Sequence, residues 1–167
     1  MGTRFVFIVT MLSALGCGVI GGVFFAFSTF VMKALNALPP PQGIAAMKSI
    51  NVVVLNPLFL GVFVGTAVGC IVVILASILG WDKPGTTAAL LGGIFYLVGT
   101  FLVTMICNVP RNDALAALHP SGPASEQLWS EYVRGWTAWN HVRTIAAIVA
   151  SVLMMLAMWL SALRHSA

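Results

Sequence analysis

FVFIVTMLSALGCGVIGGVFFAFSTFVM, residues 5–32, holds no charged side chain. A helix crossing about 30 Å of hydrocarbon needs about 20 apolar residues. This run has more, so the helix tilts or projects. Arg4 ahead of it resembles the start of a secretory signal peptide, but the apolar run is too long for one. The "ALGC" ending at Cys17 loosely resembles a lipoprotein-processing site, yet the run continues to Met32. The stretch reads as a membrane helix.

Working outward, three further runs have the same character. They are NPLFLGVFVGTAVGCIVVILASILGW (Asn56 to Trp81), Ala88 to Cys107, and about Thr144 to Leu163. The chain is 60% hydrophobic and only 7% charged, against about 25% charged in a soluble domain. The expected fold is all-α, an integral membrane four-helix bundle forming one domain over 1–167, with spans about 5–32, 56–81, 88–107 and 144–163. The protein is expected to be multi-pass, in the cell membrane if its source is bacterial.

Composition also excludes much. Cys17, Cys70 and Cys107 fall inside spans without a CxxC pair and read as packing residues. The histidines form no HExxH or closely spaced pair, so no metal site is legible. No phosphate-cradling loop or nucleic-acid signature is present. The formal charge of +4 fits anchoring at an interface.

Four spans place both termini and the linker WDKPGTT (Trp81 to Thr87) at one end. The two longer connections lie at the other, and almost every unusual polar residue lies with them. Ser28 and Lys33 close span one, Asn51 and Asn56 open span two, Asn108, Arg111 and Asn112 close span three, and Asn140, His141 and Arg143 open span four. Lys33, Lys48, Arg111, Arg134 and Arg143 stand at that end, against Arg4, Lys83 and Arg164 at the other. The bias weakly favours a cytoplasmic polar end, but arginines serving a site do not count toward topology, so orientation stays open.

Local chemistry sharpens this. Asn56 either caps a helix starting at Pro57 or belongs to a longer helix kinked there. Asn108 and Pro110 in "NVPRND" end span three, and Asn112 caps the short helix DALAAL after it. Gly61, Gly65 and Gly69, with Gly18 and Gly22, make small faces for contact inside the bundle, with a homo-oligomer as the alternative. Pro123, Ser125 and Glu126 start a helix in which Trp129, Val133, Trp136, Asn140 and Arg143 form a stripe. It is expected as an amphipathic helix over about 124–141, lying along the bundle end before span four. Its tryptophans read either as an interfacial belt or as an aromatic wall for a flat ligand. His141 reads either as a structural group or, beside Asn140 and Arg143, as part of a pocket for a planar acidic aromatic. His119 and His165 have no comparable neighbours.

Taken together and in order, GGVFFAFSTFVMKAL, MKSINVVVLNPLF, NVPRNDAL and WTAWNHVRT resemble the DUF1772 family of small membrane proteins, which includes fungal anthrone oxygenases. The resemblance covers nearly the whole chain, carried by Asn51, Asn56, Pro57, Asn108, Pro110, Arg111, Asn112, Trp136, Asn140, His141, Arg143 and Thr144. It implies oxygenation of an anthrone-like or other phenolic aromatic with O2 as co-substrate and neither flavin nor metal. On that reading His141 is the base and Arg111 or Arg143 stabilises the oxyanion. Asn51, Asn56, Asn108, Asn112, Trp136, Trp139 and Asn140 hold the substrate. The expected partners are a small aromatic molecule and membrane lipid, not nucleic acid. The alternative is a non-catalytic membrane protein that binds an amphipathic aromatic or serves as a structural partner in a complex. A transporter fits less well, because no ionisable residue sits at the centre of a span.

Overall fold

Long runs of apolar residues with few helix breakers give four helical columns, each packed against two neighbours. The computed structural model describes residues 2–81, 83–118 and 125–163; His119, Pro123 and His165 lie outside them. The helices are α1 (Gly2–Ala26), α2 (Met32–Asn36), α3 (Pro40–Val53), α4 (Pro57–Leu79), α5 (Thr86–Ile94), α6 (Val109–Ala117) and α7 (Ser125–Leu163). π-Helical segments Phe27–Val31, Phe95–Leu102 and Thr104–Asn108 join α1 to α2 and α5 to α6. Four helices, Arg4–Asn36, Pro57–Leu79, Thr86–Ala117 and Ser125–Leu163, are therefore long and apolar enough to cross a membrane.

In the bundle α1 packs on α4 and α7, and α5 packs on the same two. The interior is built from Cys17, Ile20, Phe24, Phe63, Cys70, Tyr96, Met154 and several alanines. Both Cys17 and Cys70 are buried free thiols, as packing residues should be. The outside is apolar too: Leu58, Leu79, Ile106 and Ile145 are 63–88% exposed. So much bare hydrocarbon is unusual on a soluble surface and ordinary against lipid.

The small faces divide. A Cβ at Gly69 would lie 2.4 Å from Ser13 Oγ, so that glycine lets α4 approach α1 closely, whereas Gly22, Gly61 and Gly65 face open space. In-bundle contact therefore does not explain the whole glycine repeat. Gly85 is constrained by its backbone conformation as well. It is left-handed (φ 81°), and a Cβ there would lie 2.4 Å from the Ala157 carbonyl oxygen. Gly85→Ala is expected to cost about 2 kcal/mol or more and to lower Tm by about 4–8 °C. Gly61→Ala should leave Tm unchanged or slightly raised; equal melting of the two variants would contradict the close approach.

Two sequence expectations are corrected. The stretch after residue 124 is not a separate helix: α7 runs unbroken for 39 residues, about 59 Å long, because nothing from Ser125 to Leu163 breaks it and its inward stripe stays in register. Its first half packs with α2, α3 and α6 as a cap built on Met32, Leu35, Ile44, Met47, Leu115, Trp129, Tyr132 and Trp136. Trp129 and Trp136 thus point inward, while Trp139 is exposed. Lys48 Nζ fastens the cap by donating to the Ala116 and Leu118 carbonyls at 2.9 and 2.7 Å, at and just past the end of α6.

The third column also fails to stop at Asn108 and Pro110. It continues through Pro110, in the first turn of α6, where the missing N–H does no harm and the wider π turn just before it eases the ring past the preceding backbone. Asn112 then lies inside the helix and caps nothing. Between α3 and α4 the cap reading of Asn56 holds: its Oδ1 accepts from Phe59 N and its Nδ2 donates to the Val53 carbonyl, both at 3.0 Å.

Candidate functional site: a buried arginine between helices

Tyr96, Thr100, Thr104, Asn108 and Asn112 recur every fourth residue along the third column. An α-helix turns about 100° per residue, so a period of four drifts about 40° per step and about 160° over the stripe. Most of its polar groups nonetheless meet α7. Thr100 Oγ1 donates to the Arg143 carbonyl at 3.2 Å, and Thr104 Oγ1 accepts from Arg143 Nη1 at 3.3 Å. Asn108 Nδ2 donates to the Trp136 carbonyl at 3.2 Å. Asn112 Oδ1 accepts from Tyr132 Oη and Trp136 Nε1, each at 2.9 Å. The π-helical segments between Phe95 and Asn108 supply the extra residues that keep the stripe aligned. Tyr96, at its far end, turns to α4 and donates to the Phe63 carbonyl at 3.0 Å.

Arg143 sits at the centre, 3% exposed. Its Nη2 donates to Asn140 Oδ1 at 2.6 Å, and its Cζ stands 4.1 Å from the Phe24 ring centroid and 4.9 Å from that of Trp136. Ring faces favour a cation, more so where water is excluded. Asn140 is fully buried and reaches α1, its Nδ2 donating at 2.7 Å to both the Phe24 carbonyl and Ser28 Oγ. Ser28 Oγ in turn lies 3.2 Å from Thr144 Oγ1, which donates to the Asn140 carbonyl at 2.8 Å. One turn of α7 thereby links columns one and three.

The network is incomplete. Among the described residues Arg143 Nε, Asn108 Oδ1 and Asn51 Nδ2 are buried without a hydrogen-bond partner, as are Trp129 Nε1 and Thr137 Oγ1 on α7. No carboxylate among the described residues pairs with Arg143; Asp113, Glu126 and Glu131 are all exposed. A buried cation without a counter-ion is costly, and its rings and neutral acceptors compensate only in part. The arrangement is suited to taking an anionic oxygen at Arg143 and a hydroxyl donor at Asn108. The rings of Phe24 and Trp136 cover the guanidinium, so a flat ligand would displace one of them. A half-open cavity lies instead at the opposite end of the bundle.

The expected residues separate into two groups. Asn108, Asn112, Trp136, Asn140 and Arg143 form one connected cluster, with half-buried Asn51 at its cap side. Arg111 lies outside it, donating to the Cys107 carbonyl and crossing α7 where Gly135 leaves room. Asn56, Trp139 and His141 are exposed. The structure does not bring His141 to the cluster, because α7 turns about 100° between Asn140 and the next residue. Sequence reasoning missed Phe24, Thr100, Thr104 and Tyr132 as site residues, although the period-four stripe was there to be read.

The sequence profile of the anthrone oxygenases matches residues 58–153, more than half of the chain. The chain belongs to the anthrone oxygenase family. The matched stretch contains the whole polar stripe of column three and the Trp136–Asn140–Arg143 face of α7, while Phe24, Ser28, Asn51 and Asn56 precede it. No curated protein and no solved structure is matched.

Proposed function

We propose that this protein is a membrane-embedded oxygenase acting on an anthrone-like or other phenolic aromatic, with O2 as co-substrate and no metal or organic cofactor. The observation that carries the reading is Arg143, a buried cation without a carboxylate partner among the described residues, flanked by aromatic rings and by unfilled polar groups. Family membership supports the reaction class. The anion of an anthrone is aromatic and electron-rich. Bound with its oxygen at Arg143, it passes electrons to O2; the ring CH2 becomes C=O, one oxygen atom is retained and the other leaves as water. The C–H proton is lost to bulk water as the anthrone ionises, before the anion enters the site. One oriented donor at a developing oxyanion contributes about 2.7–4 kcal/mol. Asn108 holds a substrate hydroxyl through Oδ1, and the substrate ring replaces Trp136 or Phe24 against the guanidinium.

His141 has no step in this scheme. The test is quinone formation from emodin anthrone or a simpler anthrone, by purified protein in detergent, measured against the spontaneous rate in protein-free buffer. Folded protein that gives no acceleration overturns the proposal. His141→Ala should stay within about threefold of wild type; a loss above about 100-fold at unchanged Tm would restore it as the base.

A second reading rests on the same hydrogen bonds. Asn140, Ser28, Thr104 and Thr144 tie three columns together, as a non-catalytic membrane scaffold would require. The two readings part on whether turnover and stability fall together.

A further inference from the structure

A cavity of about 820 Å³ opens at the end of the bundle opposite Arg143, among α1, the C-terminal end of α4, the linker to α5 and the last turns of α7. Its size is that of a ligand site. Its wall is largely apolar, with Val6, Phe7, Ala76 and Met158, and two cations, Arg4 and Lys83, line it as well. The described lining residues include no carboxylate, and neither cationic side chain has a partner among the described residues.

The linker side of this cavity is fixed. Gly85 closes against the Ala157 carbonyl, Ser161 Oγ donates to the Pro84 carbonyl at 3.0 Å, and Thr86 Oγ1 donates to the Gly80 carbonyl at 3.0 Å. Lys83 N also donates to the Gly80 carbonyl at 3.0 Å. The loop carrying Lys83 is thereby held to both α4 and α7. A preorganised rim loses less entropy when a ligand arrives.

We infer that this cavity binds an anionic amphiphile, its phosphate or carboxylate head between Arg4 and Lys83 and its hydrocarbon body against Phe7, Ala76 and Met158. Cations at the end of a membrane helix also attract anionic lipid surfaces without any pocket. What distinguishes the site is its concavity, and that is separately testable. The site is remote from Arg143, and its occupancy does not depend on the oxygenase reading.

The experiment is native mass spectrometry of the full chain released from neutral detergent, with dioleoyl-phosphatidylglycerol, dioleoyl-phosphatidylcholine or oleate added as probe. Binding of at least one acidic probe should exceed that of phosphatidylcholine by about tenfold. The double variant Arg4→Gln, Lys83→Gln should abolish the preference, and Ala76→Phe, which fills the cavity and leaves both charges in place, should abolish it too. Ala162→Phe, at an exposed position lining the same cavity, is the second filling variant should Ala76→Phe not fold. Retention of phosphatidylglycerol identifies a membrane lipid as the source, and retention of oleate alone a free acid. Equal binding of acidic and zwitterionic probes overturns the inference. So does a preference that survives filling of the cavity, because that is surface attraction alone.

Discussion

Arg143→Met will lower anthrone turnover by about 10²- to 10³-fold and leave Tm within about 4 °C of wild type. The two halves of this expectation have separate causes. Turnover falls because the buried cation of the cluster is gone, and with it the donor proposed for the substrate oxyanion. Stability changes little because two terms oppose each other. Losing the 2.6 Å bond to Asn140 Oδ1 leaves a buried acceptor unsatisfied, at about 1–3 kcal/mol. Removing a buried charge that has no carboxylate partner among the described residues recovers a desolvation penalty of several kcal/mol. Methionine also fills the space between Phe24 and Trp136 with a polarisable chain. Turnover in the detergent assay and thermal unfolding of the same preparation measure both halves. If activity and Tm fall together, the arginine is a structural tie and the scaffold reading prevails. Arg143→Lys should recover part of the rate, since it keeps the charge but not the guanidinium geometry that meets Asn140 and Thr104 at once.

The four columns were legible because hydrophobic length is a one-dimensional property, and Phe5 to Met32 already exceeds what a bilayer requires. What escaped the sequence were decisions made by three-dimensional neighbours. Pro110 reads as a helix end, and only the π turn before it shows why the column continues. Trp129 and Trp136 read either as a membrane belt or as a wall, and it is α3 and α6, folding over them, that turn both inward. His141 looked like a site residue by adjacency to Asn140, yet adjacent helical positions face different directions, and Asn140 is buried while His141 is exposed. Thr100 and Thr104 were invisible for the opposite reason. Threonine in an apolar helix commonly bonds its own backbone, as Thr104 does to the Thr100 carbonyl at 2.7 Å, so neither is marked by its local sequence. The polar end of the bundle was predictable; its centre at Arg143, and not at Arg111, required the packing.

Asn140→Ala is expected to be the most destabilising single change in the cluster, costing about 3 kcal/mol. Hydrogen bonds between membrane helices average about 0.6 kcal/mol, so the bonds from Asn140 Nδ2 to the Phe24 carbonyl and Ser28 Oγ account for little more than about 1 kcal/mol. The remainder comes from the third bond. Asn140 Oδ1 accepts from a guanidinium, and charge-assisted bonds contribute about 1.5–3 kcal/mol. Alanine cannot replace that acceptor, and Arg143 stays buried with a further N–H unpaired. For a chain of this length the loss corresponds to a fall in Tm of about 6–12 °C, whereas His141→Ala, one residue on and exposed, should shift Tm by no more than about 1 °C. Combining Asn140→Ala with Arg143→Met separates the terms, because once the charge is gone the missing acceptor costs nothing. The double variant should therefore melt above Asn140→Ala alone, a coupling of about 1–2 kcal/mol between residues in direct contact. Additive losses would mean that Asn140 stabilises the bundle only through α1, and that the arginine is held in place by its two rings.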